Sequence, residues 1–218
     1  MNVISAIETP GGSVAAPGRS FTVAIVGGGA AGITVAAQLQ KRRRDLRIAV
    51  IEPSDTHSCQ IHVTPPQSAP DFIKASPLAN EGGWIAVDPA TLRHTRFTNV
   101  FGLGDAAGTT NAKTAAVVRL QAPVVVDGVL AAIDGEVSTG RYDGYGSCPL
   151  TTAYGKVVLA EFIYGGKVTP SFPLDPRVPR TSAWLLKTKL LPFMYWQLML
   201  RGNTFDIKHR ERPLAVAG

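Results

Sequence analysis

Three groups of residues combine type and spacing in ways that chemistry can use. They are Gly27, Gly29 and Gly32, then Asp105 behind Gly104, and Cys148 within Gly146-Ser147-Cys148-Pro149. The first group fits G-x-G-x-x-G in Gly27-Gly28-Gly29-Ala30-Ala31-Gly32. In such a turn the first glycine permits a tight bend and the second lets a pyrophosphate approach the backbone. The third lets the following helix pack closely on the strand. Gly27, Gly29, Ala31 and Gly32 are therefore the candidate cofactor-binding positions. Glu52 lies 20 residues beyond Gly32, where the fingerprint needs a carboxylate for the ribose hydroxyls. An acid at that place, in contrast to a base, disfavours a 2′-phosphate, so FAD or NAD is preferred to NADP. The rival is a glycine-rich turn that binds nothing; strand, glycines, helix, strand and acid in register weigh against it.

These positions require particular elements. Residues 21–26, FTVAIV, read as a short buried parallel strand. A helix is expected over about 30–43, with its free N–H groups and positive dipole end toward the phosphates. A second strand over 47–51 closes in Glu52. Residues 21–39 carry no charge and are long enough to cross a membrane, but the three central glycines favour strand, turn and helix over a span. Residues 98–103 read as a third strand ending in Gly104-Asp105-Ala106-Ala107, followed by a helical stretch from about Lys113. A β-hairpin is expected over 154–164, beside a turn that exposes Cys148.

The bulk composition sets limits on these readings. With 218 residues and 45% hydrophobic content a packed core is expected. Two cysteines, Cys59 and Cys148, are too few for a disulfide scaffold and have no metal-ligand spacing, so no metal site is expected. Residues 1–20 lack the basic start and apolar run of a signal peptide and read as a loose tail. The net charge of +6 is concentrated beyond Arg177. There, 182–191 and 193–202 form two short amphipathic stretches with Pro192 opening the second as an N1 residue would. Each is too short to span a bilayer; aromatics and leucines flanked by Lys and Arg describe an interfacial pair on a lipid surface. The alternative is an amphipathic pair packed on the body or on a partner copy. No nucleic-acid module accompanies the basic residues, and no nucleic-acid partner is expected.

The run Asn99-Val100-Phe101-Gly102-Leu103-Gly104-Asp105-Ala106-Ala107 resembles the second flavin fingerprint of flavoproteins with two dinucleotide domains. Together with Val63-Thr64-Pro65-Pro66, Gly82-Gly83-Trp84 and Tyr142-Asp143-Gly144-Tyr145-Gly146-Ser147-Cys148-Pro149-Leu150, it is similar to sulfide:quinone oxidoreductases. The resemblance implies FAD as cofactor, sulfide or another small sulfur donor as substrate, and membrane quinone as electron acceptor. It makes Gly104 and Asp105 ribitol-side ligands, although a helix cap is the plain alternative for Asp105. It places residues 109–114 near the flavin ring. Lys113 and Thr114 join the cofactor-binding set, with Lys113 either stabilising the reduced ring or standing as a solvated helix-end lysine. Cys148 matches the second redox cysteine; the alternative is a small buried hydrophobe.

One departure from the family is large. The long stretch that carries the rest of the sheet, the second dinucleotide-like domain and the first redox cysteine is missing between His57 and Ile61. Cys59 sits at this junction without a counterpart. The expectation is an α/β fold: an incomplete Rossmann-like FAD-binding parallel sheet with a C-terminal β-hairpin and amphipathic helices. The divisions are a tail over 1–20, FAD-domain parts over 21–57 and 61–140, a redox-cysteine and membrane-associating region over 141–202, and a tail over 203–218. The location is peripheral membrane without a spanning segment, and an oligomer is allowed.

Overall fold

The computed structural model describes residues 21–27, 29–51 and 68–204. Strand β1 (Val23–Val26) leads into helix α1 (Ala30–Arg42), and β2 (Ile48–Ile51) returns parallel to β1 with Val23 opposite Ile48. This strand–helix–strand crossover is the parallel unit that the apolar runs imply. A one-turn helix α2 (Asp71–Lys74) precedes an irregular stretch that leads to the long helix α3 (Ala115–Asp134). Strands β3 (Gly146–Ala153) and β4 (Lys156–Phe162) form an antiparallel hairpin, and α4 (Thr181–Leu185) opens the C-terminal helical run. The α/β reading is borne out, and the parallel sheet has two strands among the described residues.

The core lies between α1 and α3. Thr34, Val35, Gln38 and Leu39 are buried at the one-and-four spacing of a helix face, opposite Val117, Ala122, Val125 and Val126 of α3. Lys41 and Arg42 in the last turn of α1 complement its dipole. Arg43, just beyond, reaches Asp134 at the far end of α3 at 2.8 Å. Helix α3 is apolar and long enough to cross a membrane by length and composition, yet its Val117, Gln121, Ala122 and Val126 are buried in this core.

Three sequence expectations are corrected. Residues 98–103 are not a strand: Phe101 makes a single bridge to Arg93, and no parallel neighbour extends it among the described residues. Cys148 is not in a turn but inside β3, opposite Ala160. The C-terminal segment is one helical run, not two helices divided at Pro192. A π-helical turn over Leu186–Leu190 precedes α5 (Leu191–Phe193), a second covers Met194–Leu198, and a 3-10 turn closes at Met199–Arg201. Wider turns on either side of Pro192 accommodate its ring and missing donor without a break.

Buried phenols join the later elements. Tyr142 Oη accepts from Asn111 Nδ2 at 2.7 Å and donates to the Tyr145 carbonyl at 2.7 Å. Tyr145 Oη donates to Glu161 Oε1 at 2.5 Å. Burial raises all three of Tyr142, Tyr145 and Tyr164, with Tyr145 and Tyr164 pushed up to about 12. A raised folded value means stability is fully present below the free phenol's value of ~10 and is lost as pH climbs toward 12. Alkaline unfolding is expected to begin above pH ~10 and to coincide with a step in tyrosinate absorbance. Tyrosinate formation without unfolding would show that these phenols are not buried as described.

Candidate functional site

The first glycine turn is built by the β1–α1 junction. Gly27 takes φ +104°, a left-handed conformation costly for other residues, and its N–H donates to the Ile51 carbonyl at 2.7 Å. That bond ties the turn to the end of β2. A Cβ on Gly27 or Gly29 would meet nothing within 4 Å, so the outer side of the turn is open. A Cβ on Gly32 would collide with the Gly27 carbonyl oxygen and stand 3.1 Å from Ile25 Cγ2. The third glycine therefore lets α1 seat on the turn. No acidic residue occupies the first turn of α1, so its positive end is free to receive an anion. Glu52 and Cys59 lie outside the described residues.

The second fingerprint is brought against the first. Gly104 takes φ +63°, and a Cβ there would stand 3.1 Å from the Ala31 Cβ and 3.4 Å from Val118 Cγ2. Its N–H donates to Gln121 Oε1 at 2.7 Å, while the buried Nε2 of Gln121 has no partner among the described residues. Asp105 is exposed within the short 3-10 turn Gly104–Ala106. The helix-cap alternative for Asp105 fails, because Thr114 caps α3, accepting from the Val117 N–H at 3.4 Å.

Lys113 is not a solvated helix-end lysine. It precedes α3, donates to the Ala107 carbonyl at 2.6 Å and stands 4.4 Å from the centre of the Trp84 ring. Burial holds its ammonium below the ordinary lysine range, and the charge of Asp105 opposes that shift. Gly146, at the start of β3, packs against this region: a Cβ there would come within 3.1 Å of Val117 Cγ2 and 3.8 Å of Ala112 Cβ. Cys148 follows two residues later, with a free and exposed thiol, so the buried-hydrophobe alternative does not hold.

Gly27, Gly29, Ala31, Gly32 and Gly104 thus converge, with Lys113 and Thr114 at the adjoining end of α3. An open glycine turn at a helix N-terminus fits a diphosphate, and the unpartnered Gln121 amide supplies a donor beside the second turn. Sequence reading assigns Gln121 no place; Trp84 and Tyr142 enter only within the runs that carry the family resemblance, and Asn111 only within residues 109–114, without the contacts described here. Gln121 had a signal of its own, a lone amide among Ala and Val on a helix face.

Comparison with known proteins agrees with this geometry. Residues 25–63 match the NAD(P)-binding Rossmann-like domain. The mitochondrial sulfide:quinone oxidoreductase of Mus musculus is 42% identical over 73% of this chain and 37% of its own length. Those of Schizosaccharomyces pombe and Dictyostelium discoideum are 41% and 42% identical, each over 66% of this chain and 32% of their own. A chain in the cryo-EM structure of the Tetrahymena thermophila mitochondrial ATP synthase matches with a TM-score of 0.55 and 23% identity, covering 72% of this chain and 35% of that one. This last likeness is one of fold alone. The similarity to sulfide:quinone oxidoreductases is shown, as is a Rossmann-like dinucleotide-binding segment. The chain spans about a third of the length of the curated relatives it matches.

Proposed function

We propose that this chain is an FAD-dependent oxidoreductase of the sulfide:quinone oxidoreductase type, impaired by an internal deletion after His57. The observation that carries the reading is the convergence of the two glycine turns, with Gly104 seated on Ala31 of α1. Gly27 and Gly29 would hold the diphosphate of FAD, and Gly104 and Asp105 its ribitol side. Bound FAD would supply two-electron acceptance from a sulfur donor and transfer to quinone. Lys113, poised by the Ala107 carbonyl and Trp84, would place a positive charge at the α3 end of the site. Cys148 would take the place of the second redox cysteine, its thiolate joining the donor sulfur as a persulfide while the two electrons released go to FAD.

The helical run supports attachment to a lipid surface. Leu185, Leu190, Phe193 and Trp196 are exposed beside Lys187 and Lys189. A second reading, an FAD-binding remnant without turnover, draws on the two-stranded sheet, where Val26 remains 60% exposed.

The visible absorption spectrum of the purified chain tests both readings. A flavin spectrum that bleaches with sulfide, and no longer does so in Cys148→Ser, is the result expected of the oxidoreductase. A flavin spectrum indifferent to sulfide supports the remnant, and a colourless protein that takes up no added FAD overturns both.

A further inference from the structure

The helical run is held at both ends, which fixes the side that it turns outward. At its start Arg180 pairs with Val157 in both directions at 3.2 and 2.9 Å. One turn into the run, Lys187 Nζ donates to the Pro149 carbonyl at 2.9 Å and to Thr151 Oγ1 at 2.7 Å. At its end the buried Met199 and Gly202 close on α1, where Lys41 Nζ donates to Asn203 Oδ1 at 2.6 Å. The outward side then carries Leu190, Phe193 and Trp196, which are 49%, 55% and 61% exposed. Leu185 is exposed before them, and Arg201 is exposed in the last turn. Large apolar side chains gathered on one solvent-facing run, not scattered singly, mark an interaction surface.

The run ends against the basic stretch Lys41-Arg42-Arg43-Arg44, and the acids near that stretch are already engaged. Arg43 takes Asp45 at 3.1 Å and Asp134 at 2.8 Å. The charge of Arg42 acts on Asp127, whose carboxylate also accepts from Ser138 Oγ at 2.7 Å and the Gly140 N–H at 2.9 Å. Lys41 has only the neutral amide of Asn203. Arg44 and Arg201 are exposed and pair with no acid among the described residues. Beyond residue 204 the sequence adds Lys208, Arg210 and Arg212 against Asp206 and Glu211, so no excess of acid follows. Three cations without a counter-charge therefore stand where the apolar outward side ends.

We infer that this face binds a bilayer surface rich in anionic phospholipid, with Lys41, Arg44 and Arg201 on the headgroups and Leu190, Phe193 and Trp196 at the headgroup–acyl boundary. The inference rests on the lipid attachment proposed above and adds to it the headgroup charge and the residues of the α1 end that read it. The leucines select lipid over a nucleic-acid strand, which would stack on the rings and leave Leu185 and Leu190 in water. Flavin plays no part in it, so it stands whether or not the chain carries FAD.

The test is partition of the full chain onto vesicles, read by sedimentation. One set is phosphatidylcholine alone, and the other is equal parts of phosphatidylcholine and phosphatidylglycerol. Three cations should make the anionic vesicles bind about a hundredfold tighter at low salt, an advantage that shrinks as salt rises. Arg44→Gln combined with Arg201→Gln should cut binding to the anionic vesicles about thirtyfold and leave binding to the neutral ones unchanged. Both side chains are exposed, and a circular dichroism spectrum matching the parent shows that the variant is folded. Trp196→Ser should weaken both vesicle types by a similar factor, as loss of an apolar contact does. Equal partition onto the two vesicle types would leave the lipid attachment standing and overturn the inference, as would an anionic preference unchanged in the double variant. Binding to neither type would overturn the attachment and the inference together. Displacement from anionic vesicles by polyuridylate at matched phosphate would assign the basic end to polyanions in general and overturn the inference as well.

Discussion

A Gly32→Val variant is expected to lose bound flavin altogether and to be less stable than the parent. The added Cβ would run into the Gly27 carbonyl oxygen and stand 3.1 Å from Ile25 Cγ2. Neither obstacle can step aside easily. The Gly27 oxygen is backbone in a residue whose N–H is held by Ile51, and Ile25 lies in β1, paired with Val50. Helix α1 must then lift from the turn, which withdraws its first N–H groups from the place where a diphosphate would sit. Overpacking of this kind costs about 1–3 kcal/mol, and the displaced site should lower cofactor affinity further. Gly29→Ala is the matched control, because a Cβ there meets nothing within 4 Å. It should fold as the parent does and affect only the approach of a ligand. The ratio of flavin to protein absorbance, with a thermal melt, separates the two. Equal flavin retention in Gly32→Val and the parent would show that the turn does not hold the cofactor.

The same contrast explains what the sequence made legible. The glycine turn is a local device: strand, bend and helix start within a dozen residues, and each glycine answers to a neighbour close in the chain. Elements whose form depends on distant partners were not legible. Residues 98–103 have the composition of a strand, but a strand needs a neighbour, and Phe101 finds only a single bridge to Arg93. Cys148 sits among Gly, Ser and Pro, types that signal a turn. Its strand form comes from pairing with residues 156–162. Pro149 is tolerated there because its carbonyl faces outward to Lys187, and the N–H it lacks would face the same unpaired edge. Gln121 shows the remaining gap. A glutamine on an apolar helix is visible in the sequence, but its partner, the Gly104 N–H, is known only once the two fingerprints are folded together.

Gly202→Val should unfasten the C-terminal run from the body. Gly202 takes φ +73°, and a Cβ there would stand 2.6 Å from the carbonyl carbon and oxygen of Ala37 and 2.9 Å from the Gln38 nitrogen. All three are backbone atoms in the middle of α1, whose other face is packed into the core, so the helix cannot retreat. The seal around this contact is otherwise good. Met199 is 4% exposed, and Asn203 accepts from Lys41 Nζ at 2.6 Å while its N–H donates to the Leu198 carbonyl at 3.0 Å. Left-handed strain in a β-branched residue costs about 1–3 kcal/mol, and the collision a comparable amount. Together they predict a fall in Tm of roughly 5–15 °C for a chain of this size. Lys41→Ala, which removes only an exposed polar contact, should change Tm by about 2 °C or less. Hydrogen exchange locates the effect: amides over 194–204 should lose protection in Gly202→Val, while those in the middle of α3 keep theirs. If the run stayed protected and Tm unchanged, its anchorage would have to lie at the hairpin end alone, through Lys187 and the Arg180–Val157 pairing.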